Sequence, residues 1–300
     1  MNLRHPDPGE LDAVLALLQA NDIADAGVTD WVRDDLRRHW DELDLEQNAW
    51  VVELDGQLAG YLDVENRGTG RVIADGYVHP DARGRGVGSE LVRLSERHAL
   101  ELAPDGPLRL HIGTLSTADA FFLARGYGRV RSFLRMVIDL DAAPELTSPP
   151  EVELRTMRSP EEDHAVYEVL EEAFADDWEH RPRPFEEYAK RTFHDPDFDA
   201  FLCPVAVAEG AIVGASLNWW KRNGDWGWIG TLGVRRKGRG RGIGEALVRW
   251  SFAEFLRRGE RRVALGVDAL NETGALRLYE RLGMRRFWEA AVWEKELRAA

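Results

Sequence analysis

Arg83-Gly84-Arg85-Gly86-Val87-Gly88-Ser89-Glu90-Leu91-Val92-Arg93-Leu94-Ser95 returns 156 positions later as Arg239-Gly240-Arg241-Gly242-Ile243-Gly244-Glu245-Ala246-Leu247-Val248-Arg249-Trp250-Ser251, with nine of the thirteen residues identical. A valine stands five residues before each copy, Val78 and Val234. Solenoid repeats recur every ~20–50 residues, so a single repeat at about half the chain length marks a duplicated domain instead. Between the copies, residues 141–150 (Asp-Ala-Ala-Pro-Glu-Leu-Thr-Ser-Pro-Pro) are rich in proline and small residues and lack apolar periodicity, as a linker would. The expected domains are 1–141 and 151–300.

The halves read alike outward from the repeat. Leu11, Val14, Leu15 and Leu18 follow helical spacing, as do Val166, Leu170 and Phe174. Three strand-like runs come next, at 49–54, 57–64 and 70–78 and again at 201–208, 211–219 and 225–234. After the glycine-rich turn each half continues with a long helix, a strand (108–113 or 262–268), a short helix and a closing strand pair or tail. Strands first and alternating strand and helix later predict an α/β fold with a mixed sheet.

Composition narrows the function. The chain has 300 residues, 44% of them hydrophobic and 31% charged, enough for a packed core. No apolar run reaches the ~18 residues a membrane span needs, and the N-terminus has no signal-like stretch; a cytoplasmic location is expected. The single cysteine, Cys203, excludes internal disulfides, and the eight histidines lack HxH or HxxxH spacing, so no metal is expected. A net charge of −14 argues against nucleic acid as partner. The charge is uneven: 15 Arg and no Lys against 26 acids in residues 1–150, but 24 basic residues against 27 acids in 151–300.

The turn has a physical reading. Glycines let the backbone approach a ligand with no Cβ in the way, and the first-turn amides of the following helix favour an anion. Arg235, Arg236, Lys237, Arg239 and Arg241 add five cations within seven residues. This suits a pyrophosphate. A P-loop would need Gly-Lys-Ser/Thr, which is absent, and a dinucleotide fold would place its glycines after the first strand rather than the fourth.

Arg83-x-x-Gly86-x-Gly88 and Arg239-x-x-Gly242-x-Gly244 resemble the acetyl-CoA signature of the GNAT N-acetyltransferase family, and Asn271-Glu272-Thr273-Gly274-Ala275-Leu276-Arg277-Leu278-Tyr279-Glu280-Arg281-Leu282-Gly283-Met284 resembles its next motif. The resemblance covers nearly the whole chain as two GNAT domains in tandem. It implies acetyl-CoA as co-substrate, bound in the second half by Leu232, Gly233, Val234, Arg239, Gly240, Arg241, Gly242, Ile243, Gly244 and Asn271. The corresponding first-half residues are Val78, Arg83, Gly84, Arg85, Gly86, Val87 and Gly88. It implies that the Val234 N–H polarises the thioester carbonyl, that an amine attacks directly, and that Tyr279 protonates the departing thiolate. The first half departs from the motif: Phe122 aligns with Tyr279 and Thr114 with Asn271. The C-terminal domain is therefore expected to be catalytic and the N-terminal one to bind CoA without chemistry or to act as a scaffold.

The base is less determined. Many family members place a Glu on the fourth strand, but the run 225–234 has no acid beyond Asp225. Asp176, Asp177 and Glu179 are the next candidates, and a solvated acidic loop is the plainer reading for any one of them. Asp75 on the equivalent first-half strand is not expected to be catalytic beside Phe122. Eight of the eleven tryptophans lie in the second half, and adjacent Trp219 and Trp220 must point to opposite faces of a regular strand, so one could line a substrate groove. The leading expectation is an N-acetyltransferase acting on a small primary amine, a monomer with a homodimer as the alternative. The alternatives are an acyl-CoA-binding regulatory protein without turnover and an acetyltransferase of protein lysines or N-termini.

Overall fold

The periodic runs become elements close to where they were predicted. The computed structural model describes every residue except 69, 116–117, 179, 221–225, 272 and 300. The first half holds β1 (Asn2–Arg4), α1 (Leu11–Ala26), α2 (Arg33–Glu42), α3 (Leu45–Asn48), β2 (Ala49–Leu54), β3 (Gln57–Asn66), β4 (Arg71–Val78), α4 (Val87–Leu102), β5 (Leu108–Thr114), α5 (Asp119–Leu123) and β6 (Gly128–Asp139). The second holds β7 (Glu153–Thr156), α6 (Asp163–Phe174), α7 (Phe185–Lys190), β8 (Pro204–Ala208), β9 (Ala211–Trp219), β10 (Gly227–Val234), α8 (Ile243–Arg257), β11 (Arg262–Asp268), α9 (Ala275–Arg281) and β12 (Arg285–Arg298). Among the described residues no helix is long and apolar enough to cross a membrane.

The units of the fold differ from the expected 1–141 and 151–300. One comprises Met1–Phe133 with Trp288–Ala300, the other Leu134–Phe287. Each closing strand is thus supplied by the opposite half of the sequence. In the first unit β12 pairs antiparallel with β5, from Ala291↔Thr114 to Arg298↔Leu108. Packing is the reason: Trp293, 1% exposed, stacks on Phe122 with centroids 5.2 Å apart, and Lys295 Nζ lies 2.9 Å from Glu96. In the second unit β6 lies beside β11, and Leu134 and Met136 enter the core under α8. An alternating apolar tail satisfies either sheet edge equally well by pattern, so periodicity could not assign it.

Each unit carries a mixed sheet, ordered β1-β2-β3-β4-β5-β12 in the first and β6-β11-β10-β9-β8-β7 in the second. The parallel neighbours, β4 with β5 and β10 with β11, are joined through α4 and α8, as a crossover requires. The helices' apolar faces explain their placement. Val87, Leu91 and Leu94 of α4 bury against Val72 and Leu110, and Val248, Phe252 and Phe255 of α8 against Ile229, Val263 and Leu265. A fully buried side chain of this kind contributes roughly 1.5–3 kcal/mol. On the opposite faces lie α1 with α2, through Leu18, Leu36 and Trp40, and α6, through Val166, Val169 and Leu170.

Both sheets open in the same place. β4 pairs with β5 only as far as Ala74↔Ile112 but stays on β3 to Gly60↔Val78. β10 leaves β11 after Ile229↔Leu265 yet follows β9 to Val234↔Gly214. The C-terminal half of each strand therefore has an unpaired edge beside a fork.

Candidate active site

In the second unit the fork has a visible cause. The β9–β10 register shifts between Ile229 and Thr231, leaving Gly230 as a bulge. Only glycine fits: a Cβ there would stand 2.3 Å from Trp219 Cζ3. Three residues on, a Cβ at Gly233 would meet Leu170 Cδ2 of α6 at 2.7 Å, so the helix lies directly on the strand. Strand β10 then ends at Val234, and a single 3-10 turn, Arg236–Gly238, leads into the glycine loop.

Gly240 (φ 76°) and Gly242 (φ 82°) are left-handed, and Gly242 is the N-cap of α8. No atom stands within 4 Å of where a Gly240 Cβ would be, so no other part of the described chain crowds that side of the turn. Ile243 is 1% exposed and its side chain belongs to the core, leaving only its amide for a ligand. Gly244 lies under Leu278 and Val234, within 3.5–3.8 Å of a would-be Cβ. Leu232, Gly233, Val234, Gly240, Gly242, Ile243 and Gly244 follow one another around the end of β10 and the start of α8. The first unit repeats the turn: Gly84 (φ 74°) and Gly86 (φ 90°), with Gly86 capping α4, Val87 1% exposed and Gly88 beside Val78.

The cations correct one expectation. Arg235 Nη1 is 2.5 Å from Glu172 and Arg236 Nη2 is 2.6 Å from Asp176, so acids at the end of α6 already neutralise two of the five. Arg239 donates to two backbone carbonyls, Ala173 O at 2.9 Å and Val234 O at 3.3 Å, fastening the loop to α6. Lys237 and Arg241 have no ion pair among the described residues and are the charges available to an anion. In the first unit Arg83 is held by Asp25 and Asn21, and Arg85 by Asp55.

Tyr279, on α9, is 6% exposed and shares a buried cluster with Ile229 and Leu265, the last pair before the fork. Its hydroxyl makes no hydrogen bond among the described residues, and burial pushes its pKa above the ordinary tyrosine value. It stays a phenol with a free proton. Asn271 Oδ1 accepts from the Thr273 amide at 2.9 Å and from the Thr273 hydroxyl, forming the turn into α9.

Asp176 is committed to Arg236. Asp177 is half-buried, and burial, with Asp268 nearby, raises its pKa while His180 and Arg239 oppose the rise. Glu179, Asp225 and Glu272 lie outside the described residues. Trp219 is buried over Gly230, while its neighbour Trp220 is half-buried against the core under α8. Trp228 faces the buried Arg135 guanidinium, 4.8 Å from the ring centroid.

The first unit holds a feature that the sequence did not announce. A cavity of about 860 Å³ occupies its fork, reaching from the glycine turn to α1 and lined by Asp22, Asp75, Tyr77, Phe122 and Arg125. Asp63 lies directly opposite Asp75 on β3 and is bonded to His39 Nε2 at 3.1 Å. His39, Asp63 and Glu65 bring possible metal-ligand atoms within 4.8 Å of one another. Histidine spacing in the sequence could not reveal this grouping, because it crosses from α2 to β3.

A model of the Acetyltransferase (GNAT) family matches residues 16–127 and 164–284. The chain belongs to the GNAT acetyltransferase family. It is 33% identical to a mycothiol acetyltransferase of Geodermatophilus obscurus over 302 residues, covering 96% of this chain and 95% of that one. A mycothiol acetyltransferase of Salinispora arenicola is 36% identical over 301 residues, covering 95% and 93%. A GCN5-related N-acetyltransferase from Sphaerobacter thermophilus superposes with a TM-score of 0.84 at 35% identity, covering 100% of this chain and 96% of that chain. A tandem GNAT protein of the clavulanic acid biosynthesis pathway shares the fold at 19% identity with a TM-score of 0.75, covering 100% and 99%. This GNAT chain is thus an acetyltransferase built from two family regions in an α/β fold.

Proposed function

We propose that the second unit transfers an acetyl group from acetyl-CoA to the primary amine of a small molecule, and that the first unit does not turn over. The observation that carries this reading is the phenol of Tyr279, buried and unpartnered beside the fork of β10 and β11. The first unit has Phe122 there instead. The residues fit the co-substrate: the amides of the Gly240–Gly244 turn at the start of α8, with Lys237 and Arg241, would hold its pyrophosphate. When bound, acetyl-CoA supplies the activated acyl group as a thioester.

The chain's residues would then divide the work. The free edge of β10, ending at the Val234 N–H, would donate to the carbonyl oxygen as negative charge develops there. Tyr279 would place its proton on the leaving sulfur; its raised pKa makes position, not acidity, the source of its effect. Asp177, held above the ordinary carboxylate range, would accept a proton from the incoming ammonium directly or through water. The relatives' name favours a small-molecule acceptor over a protein lysine.

Full-length chain, acetyl-CoA and a panel of primary amines, read by thiol release, test the proposal. Amine-dependent release with a matching N-acetyl product supports it. Acetyl-CoA binding with no release for any amine would favour a regulatory acyl-CoA-binding protein.

A further inference from the structure

We propose that His39, Asp63 and Glu65 bind a divalent transition-metal ion, Zn²⁺ or one of like ligand preference, between α2 and β3 of the first unit. None of the three lines the cavity of that unit, so the site is separate from its fork.

The fold sets the ligands. Asp63 and Glu65 stand two apart on β3, so both point to one face of the sheet. Tyr61 shares that face, and Trp40 Nε1 donates to its hydroxyl at 3.0 Å with the two rings stacked at 6.2 Å. This contact fastens α2 to β3 one residue from His39. His39 Nε2 then lies 3.1 Å from Asp63 Oδ2, and ligand atoms of all three residues fall within 4.8 Å of one another. Ligands ~2.1 Å from a tetrahedral ion stand about 3.4 Å apart. The His39–Asp63 pair meets this spacing as it is. Glu65 closes the set by turning its long, partly exposed side chain away from Arg67, which it now holds at 2.8 Å.

Charge gives a second argument. Asp75 lies opposite Asp63 in register and on the same face. Asp63 is matched by His39 and Glu65 by Arg67, while Asp75 makes no hydrogen bond or ion pair among the described residues. Asp63 is only 3% exposed. Carboxylates gathered away from water are costly unless cations offset them, and a divalent ion adds two positive charges at that point. The donor set decides the kind of ion. Imidazole with carboxylate suits zinc and its neighbours, whereas magnesium takes oxygen ligands. Three protein ligands leave a fourth position for water.

Calorimetry on the tag-free full chain, first stripped with a chelator, tests this with ZnCl₂ and MgCl₂ as probes. No acetyl-CoA is present, so the result does not depend on the transferase reading. One Zn²⁺ is expected to bind per chain and Mg²⁺ not, with a Tm that rises with zinc concentration because the ion binds the folded chain. Loss of even an indirect partner costs a metal site about 10–100-fold in affinity. His39→Gln and Glu65→Gln are therefore each expected to weaken zinc binding by about tenfold or more. The Glu65 side chain is partly exposed, so its variant keeps the fold even where His39→Gln does not. Absence of zinc binding, equal binding of Mg²⁺, or parental zinc affinity in either variant, with folding verified by circular dichroism, would each overturn the proposal.

Discussion

Replacing Tyr279 by phenylalanine separates chemistry from architecture. The ring is 6% exposed and packed among Ile229, Leu265 and Met284, contacts that phenylalanine keeps. The hydroxyl has no hydrogen-bond partner among the described residues, so its removal strands no other group. Removing an unbonded hydroxyl while the ring packing is kept should leave the variant as stable as the parent or slightly more so, within about 0.5 kcal/mol. A general acid contributes about 10²–10⁴-fold, or roughly 2.7–5.4 kcal/mol of barrier. The expected result is an unchanged or raised Tm with kcat lower by about two to four decades, measured by thiol release at saturating amine. Because burial disfavours the phenolate, Tyr279 stays protonated beyond the ordinary tyrosine range and should produce no alkaline limb below about pH 10. Parental kcat in a folded Tyr279→Phe chain would refute the acid role.

Further outcomes follow from the same packing and charges. Gly230→Ala places a Cβ 2.3 Å from the Trp219 ring and should destabilise the chain by about 1–3 kcal/mol in urea unfolding; a shift below a few tenths would contradict the tight approach. Phe122→Ala should cost about 3–5 kcal/mol by losing its stack on Trp293, while kcat per folded molecule stays constant; loss of turnover in folded protein would place chemistry in the first unit. Asp22, 5% exposed, is pushed up to about 6 mainly by burial. Its folded value lies above its unfolded one, so the stability linked to its protonated form is complete below about pH 4 and is lost as the pH rises to about 6. The loss is about 3 kcal/mol at most. Asp22→Asn should flatten that part of the pH–stability curve and raise Tm at neutral pH; an unchanged profile would mean the carboxyl is better solvated than its burial implies.

The duplication, the strand and helix pattern and the glycine turns were legible because each is local: a repeated string, a period, a left-handed φ that only glycine adopts readily. What was not legible is long-range. The closing strands β6 and β12 look alike in pattern, and only the stacking of Trp293 on Phe122 shows which unit takes the last one. The five cations at 235–241 read as one phosphate-binding cluster, yet Glu172 and Asp176 approach from a helix some sixty residues earlier and neutralise two. The local bond of Asn271 to Thr273 that shapes the turn into α9 was not legible either. Asp75 was visible on its strand, but its confrontation with Asp63 depends on strand register.

The central claim is that turnover belongs to the second unit. A pair of loop-blocked chains tests it most directly. Gly242→Val and Gly86→Val each force a β-branched residue into a left-handed helix cap, at φ 82° and φ 90°. With folding verified by circular dichroism, amine-dependent CoA release is predicted to be lost in Gly242→Val and kept in Gly86→Val; the reverse pattern would contradict the account.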